Sequence, residues 1–218
     1  PVKFIYSHDA FRVGEDGPTH QPVEHEAQLR LMEKLQNHMG EDSVRVFRAA
    51  DADEMTVCWQ MAMENMDTPT ALILSRQNIK SLPEGNDYQK ARKGAYVVAG
   101  SDEQYDIILL ASGSEVSTLV EGAELLRKDG VRCRIVSVPS EGLFRRQPVG
   151  YQLLVLPSEA KVFGMTAGLP VTLQGLVGCH GRVFGMNSFG FSAPYKVLDE
   201  KLGFTPENVY KQVKEFLA

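Results

Sequence analysis

The sequence predicts an α/β protein with two three-layer units whose sheets are mostly parallel, the first unit being incomplete. Short apolar runs of strand length alternate with longer segments of helical periodicity, a pattern typical of βαβ units. A polar stretch without clear periodicity, residues 81–92, separates two such alternations and is interpreted as a linker. Residues 1–80 supply about three strands and two helices, which is thin for an independent sheet. Residues 93–218 supply enough elements for a complete small α/β domain.

In the first unit, strands are predicted at 3–8, 44–47 and 70–75, and a polar, glycine-rich loop follows the first strand. Helical spacing over 23–39 places four apolar side chains on one face. They are Val23, Ala27, Leu31 and Leu35.

The second helix of the first unit has a recognisable start. Asp51 is a plausible N-cap, and Glu54 three residues later gives the spacing of a capping box. The large apolar residues of this segment are expected to lie in the core rather than to bind a cofactor. They are Met55, Trp59, Met63 and Met66.

The second unit is predicted from five apolar runs and two helical patterns. The helices lie at 115–128 and 209–217, the first preceded by a Ser-Gly-Ser turn in which Ser114 is the expected N-cap. A proline-containing loop region and a glycine-rich helical segment complete the unit. The strands are predicted at 95–99, 106–112, 132–138, 161–166 and 182–186.

Composition excludes several classes of protein. The chain has 218 residues, 43% of them apolar, and a net charge of −5, so a disordered chain and a globally basic nucleic-acid binder are disfavoured. Its apolar runs are too short to span a membrane. Cys58, Cys133 and Cys179 form neither a disulfide framework nor a zinc-binding pattern, which favours reduced cysteines and a cytoplasmic location.

The loop after the first strand carries a dense set of polar side chains. His8, Asp16 and His20 lie beyond the carboxyl end of a strand, where ligands bind in open α/β sheets. Imidazoles donate and accept hydrogen bonds near neutral pH, and carboxylates accept from hydroxyl groups, so the set suits a hydroxylated ligand. A solvated loop, with Thr19 capping the next helix and Asp16 in a turn, is the alternative.

Arg76 follows the buried strand at 70–75 and is therefore also expected at a carboxyl edge. A guanidinium group there suits a phosphate or carboxylate, and the alternative is a surface salt bridge.

Four motifs, in order, resemble the transketolase family over essentially the whole chain. GEDGPTHQPVE at 14–24 is the strongest, and His8-Asp9 precedes it. The others are PTALILSRQN at 69–78, ASGSEV at 111–116 and FGFSAP at 189–194. The resemblance identifies the chain as the latter part of a pyrimidine-binding domain followed by a C-terminal domain. A longer helix over 31–42 departs from the family's common pattern.

The resemblance implies a role for each site residue. His20 would bond the sugar hydroxyls near the reacting carbons and help to move protons. Asp16 would accept from a hydroxyl next to the donor carbonyl, and His8 and Arg76 would hold the sugar phosphate. The implied reaction transfers a two-carbon ketol unit between sugar phosphates, as in the pentose phosphate pathway.

The family's cofactors are thiamine diphosphate and Mg²⁺, but the motif that binds metal and diphosphate is not found in this sequence. We therefore expect no cofactor on this chain alone and no unaided activity. The expected partners are sugar phosphates and the missing N-terminal portion, in an enzyme that is a homodimer when complete.

Three alternatives remain open at this point. Dihydroxyacetone synthase shares these motifs. A 1-deoxyxylulose-5-phosphate synthase shares the core of the loop motif but normally has glycine where Pro22 stands. The third alternative is a non-catalytic module for dimerisation or regulation.

Overall fold

The first sheet has three parallel strands in a computed structural model that describes residues 1–100 and 104–218. β3 is central and fully buried, and β1 and β2 flank it. One helix follows each of the first two strands. The elements are β1 (Lys3–Tyr6), α1 (His25–Met32), β2 (Arg45–Phe47), α2 (Ala52–Glu64) and β3 (Thr70–Ile73).

The second sheet has five strands in the order β4-β6-β5-β7-β8. β4 runs antiparallel to β6, and the other pairs are parallel, so the predicted α/β class with mostly parallel sheets is confirmed. The elements are β4 (Tyr96–Gly100), β5 (Ile107–Ala111), α3 (Glu115–Lys128), β6 (Cys133–Ser137), α4 (Glu141–Arg145), α5 (Val149–Val155), β7 (Val162–Met165), α6 (Val171–Val177), β8 (Arg182–Phe184), α7 (Tyr195–Leu202) and α8 (Pro206–Leu217).

The prediction for the helix after the site loop was wrong in length and in face. α1 ends at Met32, so the longer helix expected over 31–42 is absent, and Gln36 and Asp42 form an antiparallel bridge there. Leu31 and Leu35 are 66% and 62% exposed. The buried face of α1 is charged, because Glu26 and Arg30 turn inward to form an ion pair, and apolar periodicity cannot report such a face.

The predicted start of α2 is confirmed, but the prediction that its large apolar residues lie in the core was wrong for three of them. The Asp51 carboxylate accepts a hydrogen bond from the backbone N–H of Glu54 at 2.9 Å. Trp59, Met63 and Met66 are 44%, 53% and 69% exposed and are not core residues. The opposite face of the helix is also apolar and is the one that packs inward, so composition alone did not distinguish the two faces. Its buried residues include Val57, Cys58, Met61 and Ala62.

The stretch predicted as a linker is packed against the first unit. Leu82 is buried, and its backbone N–H and the hydroxyl of Tyr88 both donate to the Asp51 carboxylate at 2.8 Å. A 3₁₀ helix, Tyr88–Lys93, leads into β4.

The proline-containing region holds helices rather than an open loop. α4 lies within it, and α5 begins directly after Pro148, as α7, which was not predicted, begins directly after Pro194. The fixed backbone angle of proline suits a helix start, which explains why prolines here mark helices and not only breaks.

The two units share one hydrophobic cluster. Phe11 of the first unit packs on Phe204 of the second with ring centroids 4.6 Å apart. In the second unit α3 and α8 pack closely at Gly122, where an added Cβ would lie 2.6 Å from Cγ1 of Val209. None of the helices within the described residues has the length and apolar character needed to cross a bilayer.

Candidate functional site

The loop between β1 and α1 is shaped by two 3₁₀ turns, Phe11–Val13 and Pro18–His20. Gly14 and Gly17 have φ angles of +93° and +86°, which favour glycine. At Gly14 space is also short, since an added Cβ would lie 3.3 Å from the carbonyl oxygen of Ala193 and 3.4 Å from Nη1 of Arg76. The sequence therefore fixes a specific path for this loop across the edge of the first sheet.

Two of the predicted site residues, His8 and Arg76, follow neighbouring strands at the carboxyl edge of the first sheet. His8 lies two residues beyond β1, and Arg76 lies three residues beyond β3, the parallel neighbour of β1. Nη1 of Arg76 donates a 2.6 Å hydrogen bond to the carbonyl oxygen of Val13. Arg76 is thereby held against the loop that carries Asp16 and His20. All four predicted side chains are exposed.

Each of the two imidazoles has a hydroxyl group beside Nδ1. Nδ1 of His8 is 2.8 Å from Oγ of Ser7, and Nδ1 of His20 is 3.2 Å from Oγ1 of Thr19. Within the described part of the chain Nε2 of both rings has no partner. A hydroxyl that donates to Nδ1 leaves the proton on Nε2, so each ring can offer a hydrogen bond to a ligand.

Beneath the loop lies an ion cluster that sequence reasoning missed. The guanidinium of Arg48 donates to the Asp9 carboxylate at 2.6 Å and to the Glu115 carboxylate at 2.6 Å. Arg12 pairs with Glu115 and donates through Nε to Asp199 at 2.7 Å. The cluster joins the site loop, which contributes Asp9 and Arg12, to the second unit, which contributes Glu115 and Asp199.

The ion cluster shifts the pKa values of its carboxyl groups. Burial opposes the charged form of Glu115, but the charges of Arg48 and Arg12 outweigh it and hold its pKa at about 2. Burial raises the pKa of Asp9, and the negative charge of Glu115 adds to that effect despite Arg48. Glu115 is therefore a firmly ionised anchor for two arginines of the first unit.

Ser114 does not have its expected role as N-cap, because it takes part in the ion cluster with Glu115. Glu115, in the first turn of α3, is fully buried, and its side chain faces the two arginines. Ser114 occupies the N-cap position without capping the helix, because its hydroxyl donates to Glu115 and accepts from Arg12. The signal available in the sequence was an acidic residue directly after Ser-Gly-Ser, together with Asp9 and Arg12 within the site loop.

Backbone strain marks the same loop. Ala10 has a φ angle of +44°, in a region that costs a non-glycine residue of order 1–3 kcal/mol. Its neighbours Asp9 and Arg12 are both fixed in the ion cluster, which holds the strained backbone in place.

A cavity of about 50 Å³ adjoins His8 at the end of β1. His25, which was not among the predicted site residues, lies on its wall together with Tyr6 and Ile73. The cavity has room for a small group only.

The residues present do not fit a metal-bound diphosphate. Over residues 1–100 and 104–218, no three His, Cys, Asp or Glu side chains come together in a way that could hold a metal ion. Cys58 and Cys133 are buried thiols and Cys179 is exposed. The site offers hydrogen-bonding groups on His8 and His20 and the guanidinium of Arg76.

Family models match the chain in two parts. Residues 1–81 match the transketolase pyrimidine-binding domain, and residues 94–205 match the transketolase-like C-terminal domain. A transketolase of Staphylococcus epidermidis is 41% identical over 214 residues, which are 97% of this chain and 31% of that protein. The chain thus spans about a third of the length of the curated relatives it matches.

Solved structures give the same result. Transketolase from Leishmania mexicana aligns with a TM-score of 0.87 and 38% identity over 98% of this chain and 30% of its own. An inactive β4 tetramer of a split-gene transketolase aligns with a TM-score of 0.72 over 99% of this chain and 67% of its own, and at 21% identity it shows the fold alone. The chain belongs to the transketolase family, in which it matches the pyrimidine-binding and C-terminal domains.

Proposed function

We propose that this chain is the portion of a transketolase that binds and orients the sugar phosphates between which a two-carbon ketol unit is transferred. The observation that carries the proposal is the hydrogen bond from Arg76 to the carbonyl of Val13. It ties a cationic side chain to the loop that bears Asp16 and His20. Family membership supplies the reaction, and this contact supports the assignment of the substrate to this edge of the sheet.

Arg76 and His8 bind the phosphate group. Only one N–H of the Arg76 guanidinium is used by Val13, and its other N–H groups have no partner within the described residues. A guanidinium is permanently charged and matches the oxygens of a phosphate with two parallel hydrogen bonds. The imidazole of His8, at the end of the adjacent strand, adds a second point of attachment.

His20 and Asp16 orient the sugar near the reacting carbons. Nε2 of His20 is available to donate to a hydroxyl or carbonyl oxygen, while Thr19 occupies Nδ1. The exposed Asp16 carboxylate accepts from a neighbouring hydroxyl and so selects one stereochemistry. Holding the phosphate and the hydroxyls at separate points fixes the sugar chain for reaction.

The chain acts with a second part of the enzyme. It matches only about 31% of its relatives' length, and its described residues do not fit a metal-bound diphosphate. Thiamine diphosphate and Mg²⁺ are therefore assigned to residues outside this chain, and the chain alone is inactive. The split-gene transketolase solved as an inactive β4 tetramer is a precedent for such an arrangement. We further propose units at 1–80 and 93–218 joined by 81–92, and a homodimer for the complete enzyme.

Reassembly tests the proposal directly. The chain is mixed or co-expressed with the polypeptide that carries the cofactor-binding part of the same enzyme, and transfer from xylulose 5-phosphate to ribose 5-phosphate is assayed. We expect no turnover by either part alone and turnover by the mixture. Turnover by this chain alone would contradict the division of labour, and an inactive but stably assembled mixture would favour a non-catalytic module.

Arg76→Ala in the reassembled enzyme tests the phosphate assignment. Because a hydrogen bond to a charged group contributes about 1.5–3 kcal/mol, KM for a phosphorylated ketose should rise about tenfold to a hundredfold. KM for an unphosphorylated ketose should change little, and Arg76→Lys should lie between. Arg92→Ala, which removes an exposed partner of Glu64, is the matched control. Equal losses for both kinds of ketose would remove the phosphate role from Arg76.

A further inference from the structure

A second cleft lies between the two units, lined by residues that follow Arg76 and by residues of α3 and α7. Its volume is about 300 Å³, at the lower end of ligand pockets. One wall follows β3 and includes Gln77, Asn78 and Lys80, and the other is the first turns of α3 together with the start of α7. Two motifs that the proposed site leaves unused, the residues after Arg76 and the Ser-Gly-Ser turn, therefore meet here.

The cleft offers several polar groups without partners. Within the described part of the chain, the hydroxyls of Thr118 and Tyr195 and the amide of Asn78 make no hydrogen bond, although all three line the cleft. The amide oxygen of Gln77 is buried and has no donor, while its Nε2 donates to Oγ of Ser114 at 3.2 Å. A buried acceptor without a donor is unfavourable, so a small rotation of Gln77 toward an incoming hydroxyl gains a hydrogen bond.

The charges around the cleft cancel. Lys80 pairs with Glu121, and Arg12 is held by Asp199 and Glu115. The remaining charged residues in the lining are Lys196 and Glu200, one of each sign. A phosphate ester would thus meet no net positive field, whereas an uncharged ligand meets no penalty.

Part of the lining is apolar. Ile79, Phe204 and Pro206 lie beside the polar groups, and Phe204 is itself buried against Phe11. A surface with an apolar patch and several hydroxyl and amide groups suits a molecule with both C–H faces and hydroxyls.

From this combination we propose that the cleft between the two units binds a small uncharged polyhydroxylated molecule, a sugar or polyol, at Gln77, Asn78, Thr118 and Tyr195. The proposal goes beyond the ketol-transfer function, because it concerns a cleft lined by none of the four predicted site residues and an unphosphorylated ligand. Such a ligand bridges the first unit to α3 and α7, and it therefore stabilises their contact.

Titration of the intact chain with xylitol, followed by backbone amide chemical shifts, tests the site. We expect saturable shifts at 77–80 and 114–121 at millimolar xylitol. Thr118→Val and Tyr195→Phe should each weaken binding about three- to tenfold, the range for one net hydrogen bond. Thr56→Val and Tyr210→Phe, on α2 and α8, are matched controls and should leave the affinity unchanged. The amide spectra of the variants report whether they fold.

Three results would overturn the proposal: shifts that never saturate, shifts that both cleft variants leave unchanged, or inorganic phosphate shifting these residues where xylitol does not. The titration uses this chain without its partner and measures no turnover. A failure of ketol transfer after reassembly therefore leaves this site unaffected, and the reverse also holds.

Discussion

The side chain of Glu115, in the second unit, is linked to the candidate site by its ion pairs with Arg12 and Arg48 of the first unit. It lies at the centre of the ion cluster, between Arg48 and Arg12, and neither guanidinium can reach water freely because all three residues are buried. Since Arg12 belongs to the site loop and Asp9 shares Arg48, this one carboxylate holds the loop from below. The path of the loop that bears His20 thus depends on a residue that contacts no substrate.

Glu115→Gln should destabilise the chain strongly. Removing one partner of a buried ion pair leaves an uncompensated charge, at about 3–5 kcal/mol, and here two arginines lose that partner. Urea unfolding of the chain measures the loss. Glu64→Gln, in an exposed pair with Arg92, should change stability by less than about 1 kcal/mol. Similar effects of the two substitutions would show that the cluster does not anchor the loop.

The raised pKa of Glu54 predicts that its contribution to stability depends on pH with the opposite sign to that of most carboxylates. Its buried side chain accepts from Oγ of Ser137 at 2.7 Å, and burial raises its pKa to about 7. Between its unfolded pKa near 4.5 and about 7, the unfolded chain loses this proton while the folded chain retains it. The contribution of Glu54 is therefore present below the lower value and is lost as the pH rises through this window.

Glu54→Gln should remove this dependence of stability on pH. The free energy of unfolding, measured by denaturant titration from pH 4.5 to 8, should fall with rising pH more steeply in the parent chain than in the variant. The difference should reach up to about 1.4 kcal/mol for each pH unit inside the window. Glu64→Gln, an exposed residue on the same helix, should keep the parent profile. Parallel profiles for parent and Glu54→Gln would refute the raised pKa.

At the scale of elements, Gly122 tests how α3 meets α8. An added Cβ would lie 2.6 Å from Cγ1 of Val209, so Gly122→Ala must push the two helices apart and should cost about 1–3 kcal/mol despite the better helix propensity of alanine. Gly150 lies in α5 with no atom within 4 Å of the added Cβ. Gly150→Ala should therefore be neutral or stabilise by up to about 1 kcal/mol. Thermal unfolding compares the two, and equal effects would contradict close packing at Gly122.

The elements also show what sequence reasoning can reach. β5 and α3 were predicted within one residue of their bounds, because a buried apolar run and a long amphipathic pattern are unambiguous. α1 failed because its inward face is charged, as Glu26 and Arg30 show. The predicted site residues were chosen from the chemistry of the loop and from the family motifs. The ion cluster was not predicted, because Asp9, Arg48 and Glu115 are far apart in sequence and only the fold pairs them.

At the scale of the whole molecule, the first sheet is open at β1. β1 is an edge strand, and Phe4, Ile5 and Tyr6 are 44%, 52% and 41% exposed, although they continue an apolar strand. An exposed apolar edge pairs readily with another chain. Under the proposed function, we expect this edge to be covered by the second part of the enzyme, and to promote self-association when the chain is alone.

Ile5→Lys tests both expectations, because a lysine on an edge strand opposes pairing without disturbing the buried core. Sedimentation velocity should show that the variant self-associates less than the parent chain, and the reassembly assay should show weaker complementation. Val171→Lys, at an exposed position of α6 in the second unit, should change neither quantity. Retained complementation together with reduced self-association would mean that the partner docks elsewhere. Both quantities unchanged would mean that the open edge of β1 takes no part in assembly.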